Sequence, residues 1–408
     1  MAQPRLVESP NLTETSRPKQ WIKLEANTYI HHLASLPGGY AASTSSTSDS
    51  DTIQLFDKTT LKSLRKWETH RGGCTSLKRV KAIGEQTERP LLMSGGKDGV
   101  IKVWDERSNS LREGNLQFSN LSQNRPILSF DVSPNGMLVA GGTALQGEDA
   151  LILYWDPRKP TTPIRTHSST HSDDITALHF QSSASPSPLL LSASADGLIS
   201  TSNAEEDDEE EAGMHVGNWG CSVAQVGWVG ERIWGSSDME TFSTWSAELD
   251  PLQSLDLRAP SVHTQSRTWV TDYMITCYGG KEGGLTMFMG SNEGDIAQVT
   301  NDYLGVPKPQ GPKPWSWTLE KLWTHGHEGI VRSLLWDDEN NILVTGGEDA
   351  KLNVWSGPII PEENKDLDVD MEQDTDENAT LGSGSHSRKR EHEMYDMDVD
   401  EGNRKRRR

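Results

Sequence analysis

The sequence predicts an all-β chain closed into a seven-bladed β-propeller, and three observations predict it. One segment type recurs seven times at a spacing near 50 residues, the range of propellers and solenoids. Each copy alternates with period two on both sides of a tight turn, which is the pattern of a hairpin. Nowhere does an apolar period of 3.6 argue convincingly for a helix.

The seven copies read YAASTSSTSDSDTIQLFD from Tyr40, LLMSGGKDGVIKVWD from Leu91, LVAGGTALQGEDALILYWD from Leu138, LLLSASADGLISTSN from Leu189, RIWGSSDMETFSTWS from Arg232, TMFMGSNEGDIAQVT from Thr286 and ILVTGGEDAKLNVWS from Ile342. Their last-strand positions are Phe56, Trp104, Trp155, Ser202, Trp245, Val299 and Trp355, at successive separations of 48, 51, 47, 43, 54 and 56. In the second copy Gly99 follows Lys97-Asp98 and supplies the positive φ that a tight hairpin turn needs. Further strands lie between the hairpins, such as ITALHF (Ile175 to Phe180) and VRSLLW (Val331 to Trp336), making about four per copy. After Trp355 the chain leaves the pattern within three residues, so the last blade lacks an outer strand. WIKLEA, Trp21 to Ala26, alternates correctly and is expected to dock there, because an open ring leaves raw strand edges.

The expected organisation is residues 1–20 without a fold, the propeller over 21–358 with an acidic loop at 204–212, and a disordered acidic tail over 359–408. Of the 408 residues, 33% are hydrophobic and the mean hydropathy is -0.64, part of which is local. Glu205 to Glu211 is an unbroken run of seven acids, and Pro361 to Glu401 holds 15 acids against 4 bases. Of the formal charge of -21, these stretches carry -7 and -11 and Arg404 to Arg408 carries +5, which leaves -8 elsewhere. A mildly acidic fold makes the phosphate backbone of a nucleic acid an unlikely direct partner. Cys74, Cys221 and Cys277 are far apart and form no CxxC, which suits a reducing compartment. The first 20 residues lack the apolar core of a signal peptide and no 18-residue apolar run exists, so no membrane partner is expected.

GHEGIVRSLLW, Gly326 to Trp336, followed by ILVTGGEDAKLNVW, resembles the WD-repeat family in its Gly-His dipeptide and the three strands after it. The resemblance covers about Trp21 to Pro358 and implies a hydrogen-bonded chain of His, Ser/Thr, Asp and Trp across a blade. Blade seven offers His327, Thr345, Asp349 and Trp355; blade two offers His70, Ser94, Asp98 and Trp104. A buried His–Asp pair needs every polar atom satisfied, so a complete set would fix its blade. Blade four keeps His171, Ser192 and Asp196 but has Ser202 in place of Trp; blades three, five and six lack parts and are expected to be less rigid.

A search for chemistry finds no GxSxG elbow, no GKS/T phosphate loop and no HExxH. His325 and His327 are spaced like a metal pair, yet His327 sits on the blade-defining position and no third ligand is near. His31-His32 opens a strand and is expected to be solvated or satisfied. The run from Glu205 reads as a solvated inter-blade loop, since calcium needs fixed oxygens. Gly279 to Gly284 reads as a turn. The expectation is no enzyme, no cofactor and no metal.

Two features point to partners. Trp104-Asp105-Glu106-Arg107 and Trp155-Asp156-Pro157-Arg158 resemble the consecutive WDxR endings of WD-repeat substrate receptors of cullin-RING ubiquitin ligases. That resemblance implies that Arg107 and Arg158 contact the ligase adaptor, where a planar guanidinium makes paired hydrogen bonds; basic residues after WD are also common turn residues. In the tail, Arg388-Lys389-Arg390 and Arg404-Lys405-Arg406-Arg407-Arg408 are spaced like a bipartite nuclear import signal for an import receptor. The tail has too little apolar surface to fold alone. Together these features describe a scaffold for protein–protein interactions that is expected in the nucleus, with the cytoplasm as an additional location. Ubiquitin-ligase substrate receptor and histone or chromatin factor are the rival functions.

Overall fold

The second and third strands of each blade are apolar almost throughout, because they lie sandwiched between neighbouring blades, whereas outer strands face water on one side and alternate. Leu91–Gly96 is buried at every position, while Pro251–Asp256 alternates between exposed and buried. Among the described residues of the computed structural model of the protein, this pattern builds seven blades of four antiparallel strands each. The described residues are 5–46, 51–84, 90–106, 116–120, 124–182, 187–258, 261–263, 268–279, 284–301, 316–337 and 340–358. Residues 1–360 form one unit; the second, 361–408, which carries both basic clusters, lies outside the described residues, as does Arg107.

Each predicted hairpin forms the middle of a blade, for example Leu91–Gly96 with Val100–Trp104 and Ile342–Gly347 with Lys351–Ser356. The first strands, from Thr28–Leu36 to Val331–Asp337, contact one another in turn around the axis. Side chains at their starts lace the blades together: Thr75 Oγ1 donates to the Ile127 carbonyl at 2.5 Å, Ser129 Oγ to Ile175 at 2.8 Å and Thr176 Oγ1 to Val223 at 2.6 Å. Gln225 Nε2 donates to Ile275 at 3.1 Å, and Ser333 Oγ reaches Ile30 across the seam at 3.1 Å. These bonds satisfy carbonyls on the free inner edges of the sheets.

The ring closes where the sequence placed it. Gln20–Lys23 pairs antiparallel with Lys351–Ser356, with Trp21 opposite Asn353 and Ile22 opposite Leu352. At the same seam Asp337 is buried and accepts Lys58 Nζ at 3.1 Å and Asn340 Nδ2 at 3.0 Å.

The N-terminal residues correct the expectation of no fold over 1–20. Arg5–Thr15 is a strand lying parallel to Ser316–Trp323, which makes the sheet of blade six five-stranded. Its alternation is broken between Glu8 and Thr13, around Pro10, and its partner lies some 300 residues away in sequence, so the pattern alone does not reveal it. Leu6 is buried with Trp317, Leu319 and Phe242, and Leu12 packs against the same cluster.

The acidic run departs from expectation too. It is an excursion within blade four, between Leu198–Asn203 and Gly213–Asn218, and not a loop between blades, although five of its seven acids stay exposed. Asp208 caps a single helical turn, Glu209–Ala212. Arg165 of blade three donates to the carbonyls of Ala204 and Glu206 and pairs with Asp207 at 3.0 Å. The Glu209 carboxylate accepts the backbone N–H groups of Ser168, Ser169 and Thr170, each at 2.8 Å, and both neighbouring hydroxyls. Burial works against its charge, but these donors hold Glu209 below the ordinary carboxylate range.

Candidate functional site

Because successive strands reverse, the turns between second and third strands share one face with the connectors that carry the chain to the next blade. That connector face holds the predicted polar sets. In blade two, Trp104 Nε1 donates to Ser94 Oγ at 2.8 Å, Ser94 lies 2.8 Å from His70 Nε2, and His70 Nδ1 lies 2.8 Å from Asp98 Oδ1. A carboxylate can only accept, so His70 carries its proton on Nδ1 and takes the serine proton on Nε2. Blade seven repeats the chain, with Trp355 Nε1 to Thr345 at 3.0 Å, Thr345 to His327 at 2.8 Å and His327 to Asp349 at 3.1 Å. In blade four His171 keeps Ser192 at 2.8 Å and Asp196 at 3.3 Å. In all three the same carboxylate also takes the backbone N–H after the histidine: Arg71 and Glu328 donate to the second oxygen, and Ser172 shares Asp196 Oδ2 with His171. Each chain therefore pins a connector to a turn.

The description of the WD domain, G-beta repeat, matches residues 61–105 and 319–356. Each match joins the outer strand of one blade to three strands of the next, the offset that leaves blade seven to be completed by Gln20–Lys23. An uncharacterized WD repeat-containing protein of Saccharomyces cerevisiae is 31% identical over 76% of this chain and 76% of its own length. The chain belongs to the WD-repeat family. The WD repeat-containing protein 89 homolog of Dictyostelium discoideum is 26% identical over 65% of this chain and 68% of its own. An uncharacterized WD repeat-containing protein of Schizosaccharomyces pombe is 27% identical over 64% of this chain and 77% of its own. Among solved structures, the computationally designed Ika8 protein superposes with a TM-score of 0.54 at 18% identity, covering 84% of this chain and 98% of that one, a likeness of fold alone.

Where this WD-repeat chain lacks the polar set, other contacts fill the space. In blade four, Tyr154 from blade three lies beside Ser202, with His167 edge-on to its ring at 5.0 Å. Trp155 of blade three donates instead to the Ser119 carbonyl of blade two, at 3.0 Å. In blade six, Tyr273 takes the histidine's place: a Cβ on Gly290 would sit 2.3 Å from its ring, as one on Gly96 would sit 2.1 Å from His70. Its hydroxyl accepts Val331 N of blade seven at 2.8 Å and faces the Ser291 carbonyl at 3.4 Å. Sequence reading missed Tyr273; the signal was a strand ending in glycine opposite a strand that starts with a large ring.

The remaining candidates separate. His325 bonds Thr324 at 3.0 Å and sits at a positive φ of 59°, while His327 belongs to the polar chain of blade seven. Among the described residues, no three His, Cys, Asp or Glu side chains gather to hold a metal. His31 bonds Ser45 at 2.6 Å, and burial pushes His32 down to about 4 and His179 of blade four to about 3, so both stay neutral. Arg158 lies on the face opposite the connectors, where it forks onto its own Asp156 at 2.9 Å while staying 64% exposed. Its predicted companion Arg107 is outside the described residues. The arrangement offers rigidly held loops on two faces.

Proposed function

We propose that this WD-repeat protein is a non-enzymatic scaffold that binds other proteins in the nucleus. The observation that carries the reading is the closed ring whose connectors are clamped by His–Asp chains in blades two, four and seven. Loops on such a frame recognise partners by shape and a few anchors without ordering themselves first. Large apolar side chains stay exposed on the connector face, among them Tyr29, Leu145, Met239 and Val270. Such residues serve as interface anchors when grouped. The nuclear address rests on Arg388 to Arg390 and Arg404 to Arg408, read by an import receptor. Proximity labelling in nuclear and cytosolic fractions tests both parts. Defined protein neighbours in the nucleus support the reading, and their absence from both fractions ends it. A fluorescent fusion of residues 381–408 should enter the nucleus and become diffuse when Arg404 to Arg408 are alanines.

The exposure of Arg158 favours a second reading, a substrate receptor for a ubiquitin ligase. Charge reversal at Arg107 and Arg158 should then remove the ligase adaptor from the labelled set. Histones in that set, retained by the acids at 205–211, would support the chromatin reading instead.

A further inference from the structure

Blades five and six lack the histidine chains, and on the connector face beside them lies a cleft of about 410 Å³. Its walls include Glu240, Arg258, Asp272, Tyr273, Asn292 and Arg332. Most of these groups are already engaged. Glu240 Oε2 accepts Met274 N at 3.1 Å, and Asp272 Oδ2 accepts Asn292 N at 2.7 Å. Arg332 is paired with Glu348 through Nε at 2.7 Å and Nη2 at 2.5 Å. Arg258 differs. Its guanidinium makes one long bond, from Nε to the Asp272 carbonyl at 3.4 Å, and meets no carboxylate within ion-pair distance among the described residues. On the connecting loops beside it, Met239 is 66% and Val270 46% exposed. Tyr273, bonded to both blade six and blade seven, braces the floor.

We infer that this cleft docks a partner protein segment carrying an aspartate or glutamate next to an apolar side chain. The carboxylate would take the fork of Arg258, and the apolar neighbour would lie on Met239 and Val270. The inference rests on the protein-binding reading above and names its site. A basic residue fits less well, because it would meet carboxylates already bonded to backbone N–H groups and would lie between two arginines. An arginine flanked by apolar side chains is also the composition that dominates interface energies.

The test probes the full-length protein with an array of decapeptides in three sets, each with a central residue beside leucine: Glu, Gln or Lys. The best binder of each set is then titrated by fluorescence anisotropy. The Glu set should bind best. Arg258→Ala should weaken it about tenfold or more, as loss of a charge-assisted fork predicts. Arg258→Lys should fall between, since an ammonium keeps the charge and loses the fork. Lys62→Ala, exposed in a turn on the opposite face, should leave binding and thermal midpoint unchanged. Equal binding by the Gln set, preference for the Lys set, or indifference to Arg258→Ala overturns the inference. If no set binds, a photo-crosslinker at position 239 and another at position 64 on the rim separate the failures. Protein capture at 64 alone removes the cleft and keeps the scaffold; capture at neither removes both. Capture at 239 that survives Arg258→Ala also overturns it.

Discussion

Blades two and seven hold themselves together differently from blades five and six, although all four have the same strand order. The first pair uses a polar chain from indole to hydroxyl to imidazole to carboxylate, buried and fully satisfied within one blade. The second pair uses apolar mass shared between blades. Trp234 stacks on Phe242 at 6.3 Å, Trp317 meets Phe242 edge-on at 5.6 Å, and Leu6 of the N-terminal strand joins the same cluster. An inserted hairpin, Ser261–His263 with Thr268–Val270, adds buried Val262 and Trp269. A polar chain demands a fixed residue at each node, so it leaves a motif; an apolar cluster accepts many residues and leaves none. Family likeness accordingly falls on residues 61–105 and 319–356. Freed from the chain, blades five and six can carry a cleft.

The largest effect should come from removing what closes each kind of blade. Deleting residues 1–26 takes away the outer strand of blade seven as well as the fifth strand of blade six, and should abolish cooperative unfolding. Deleting 1–18 spares Gln20–Lys23 but exposes the surface under Leu6 and Leu12. Burial of such side chains is worth about 1.5–3 kcal/mol each, so a loss of a few kcal/mol is expected by thermal or denaturant melting. A melt of the shorter truncation identical to that of the full chain would show that the parallel strand contributes nothing.

Next in size is the tryptophan of the polar chain. Trp355→Ala should destabilise by about 3–5 kcal/mol, as for other buried large-to-small changes. The sharper comparison keeps the ring. Trp355→Phe removes the N–H that Thr345 accepts, at roughly 1 kcal/mol, whereas Trp245→Phe in blade five touches no such chain and should change less. Equal losses in denaturant titrations of the two phenylalanine variants would erase the distinction between the blades.

The sequence made the strands legible because alternation and turn residues are local, and it made blades two and seven legible because the hydroxyl, Asp and Trp keep the same four- and six-residue spacings in both. What it hid depends on distant partners. The order in Glu205 to Glu211 comes from Arg165 and from Ser168 to Thr170, some 40 residues upstream in another blade. Read alone, seven acids repel and solvate; beside three backbone N–H groups, one of them becomes an anchor. The N-terminal strand is ordered by an edge at the far end of the chain. Tyr273 carries no motif, because a ring and a hydroxyl stand in for the histidine with different chemistry.

Acid should also separate the two kinds of blade. Burial opposes the charge of Asp196, but the bonds from His171 and two backbone N–H groups lower it from 3.8 to about 2. Asp98 and Asp349 are shifted in the same direction, against burial, by His70 and His327. A carboxylate whose folded value lies below its unfolded value stabilises fully above the unfolded value. That stability fades as pH falls from about 4 towards 2, and for Asp196 it amounts to roughly 2 kcal/mol at most. Hydrogen exchange at pH 3 should therefore open the connectors of blades two, four and seven relative to pH 6. Connectors of blades five and six should change less. An Asp196→Asn variant whose stability keeps the wild-type pH slope between pH 2 and 4 would rule the linkage out.

The smallest expected effect concerns Tyr273, where the comparison is finest. The ring fills the histidine's place against Gly290, and the hydroxyl ties blade six to Val331 N of blade seven at 2.8 Å. Tyr273→Phe keeps the ring and leaves one backbone N–H without its acceptor, a loss of about 1 kcal/mol where that group stays buried. His327→Phe would remove two bonds from a satisfied chain and strand both Asp349 and Thr345, so it should be several times more harmful. The readout that distinguishes the roles is local. In Tyr273→Phe the Val331 amide should exchange faster while the Asp98 and Asp196 turns keep their protection. In His327→Phe the whole connector of blade seven should open. If both variants opened only Val331, the tyrosine and the histidine would be interchangeable braces, and the difference between the two kinds of blade would reduce to which ring the glycine faces.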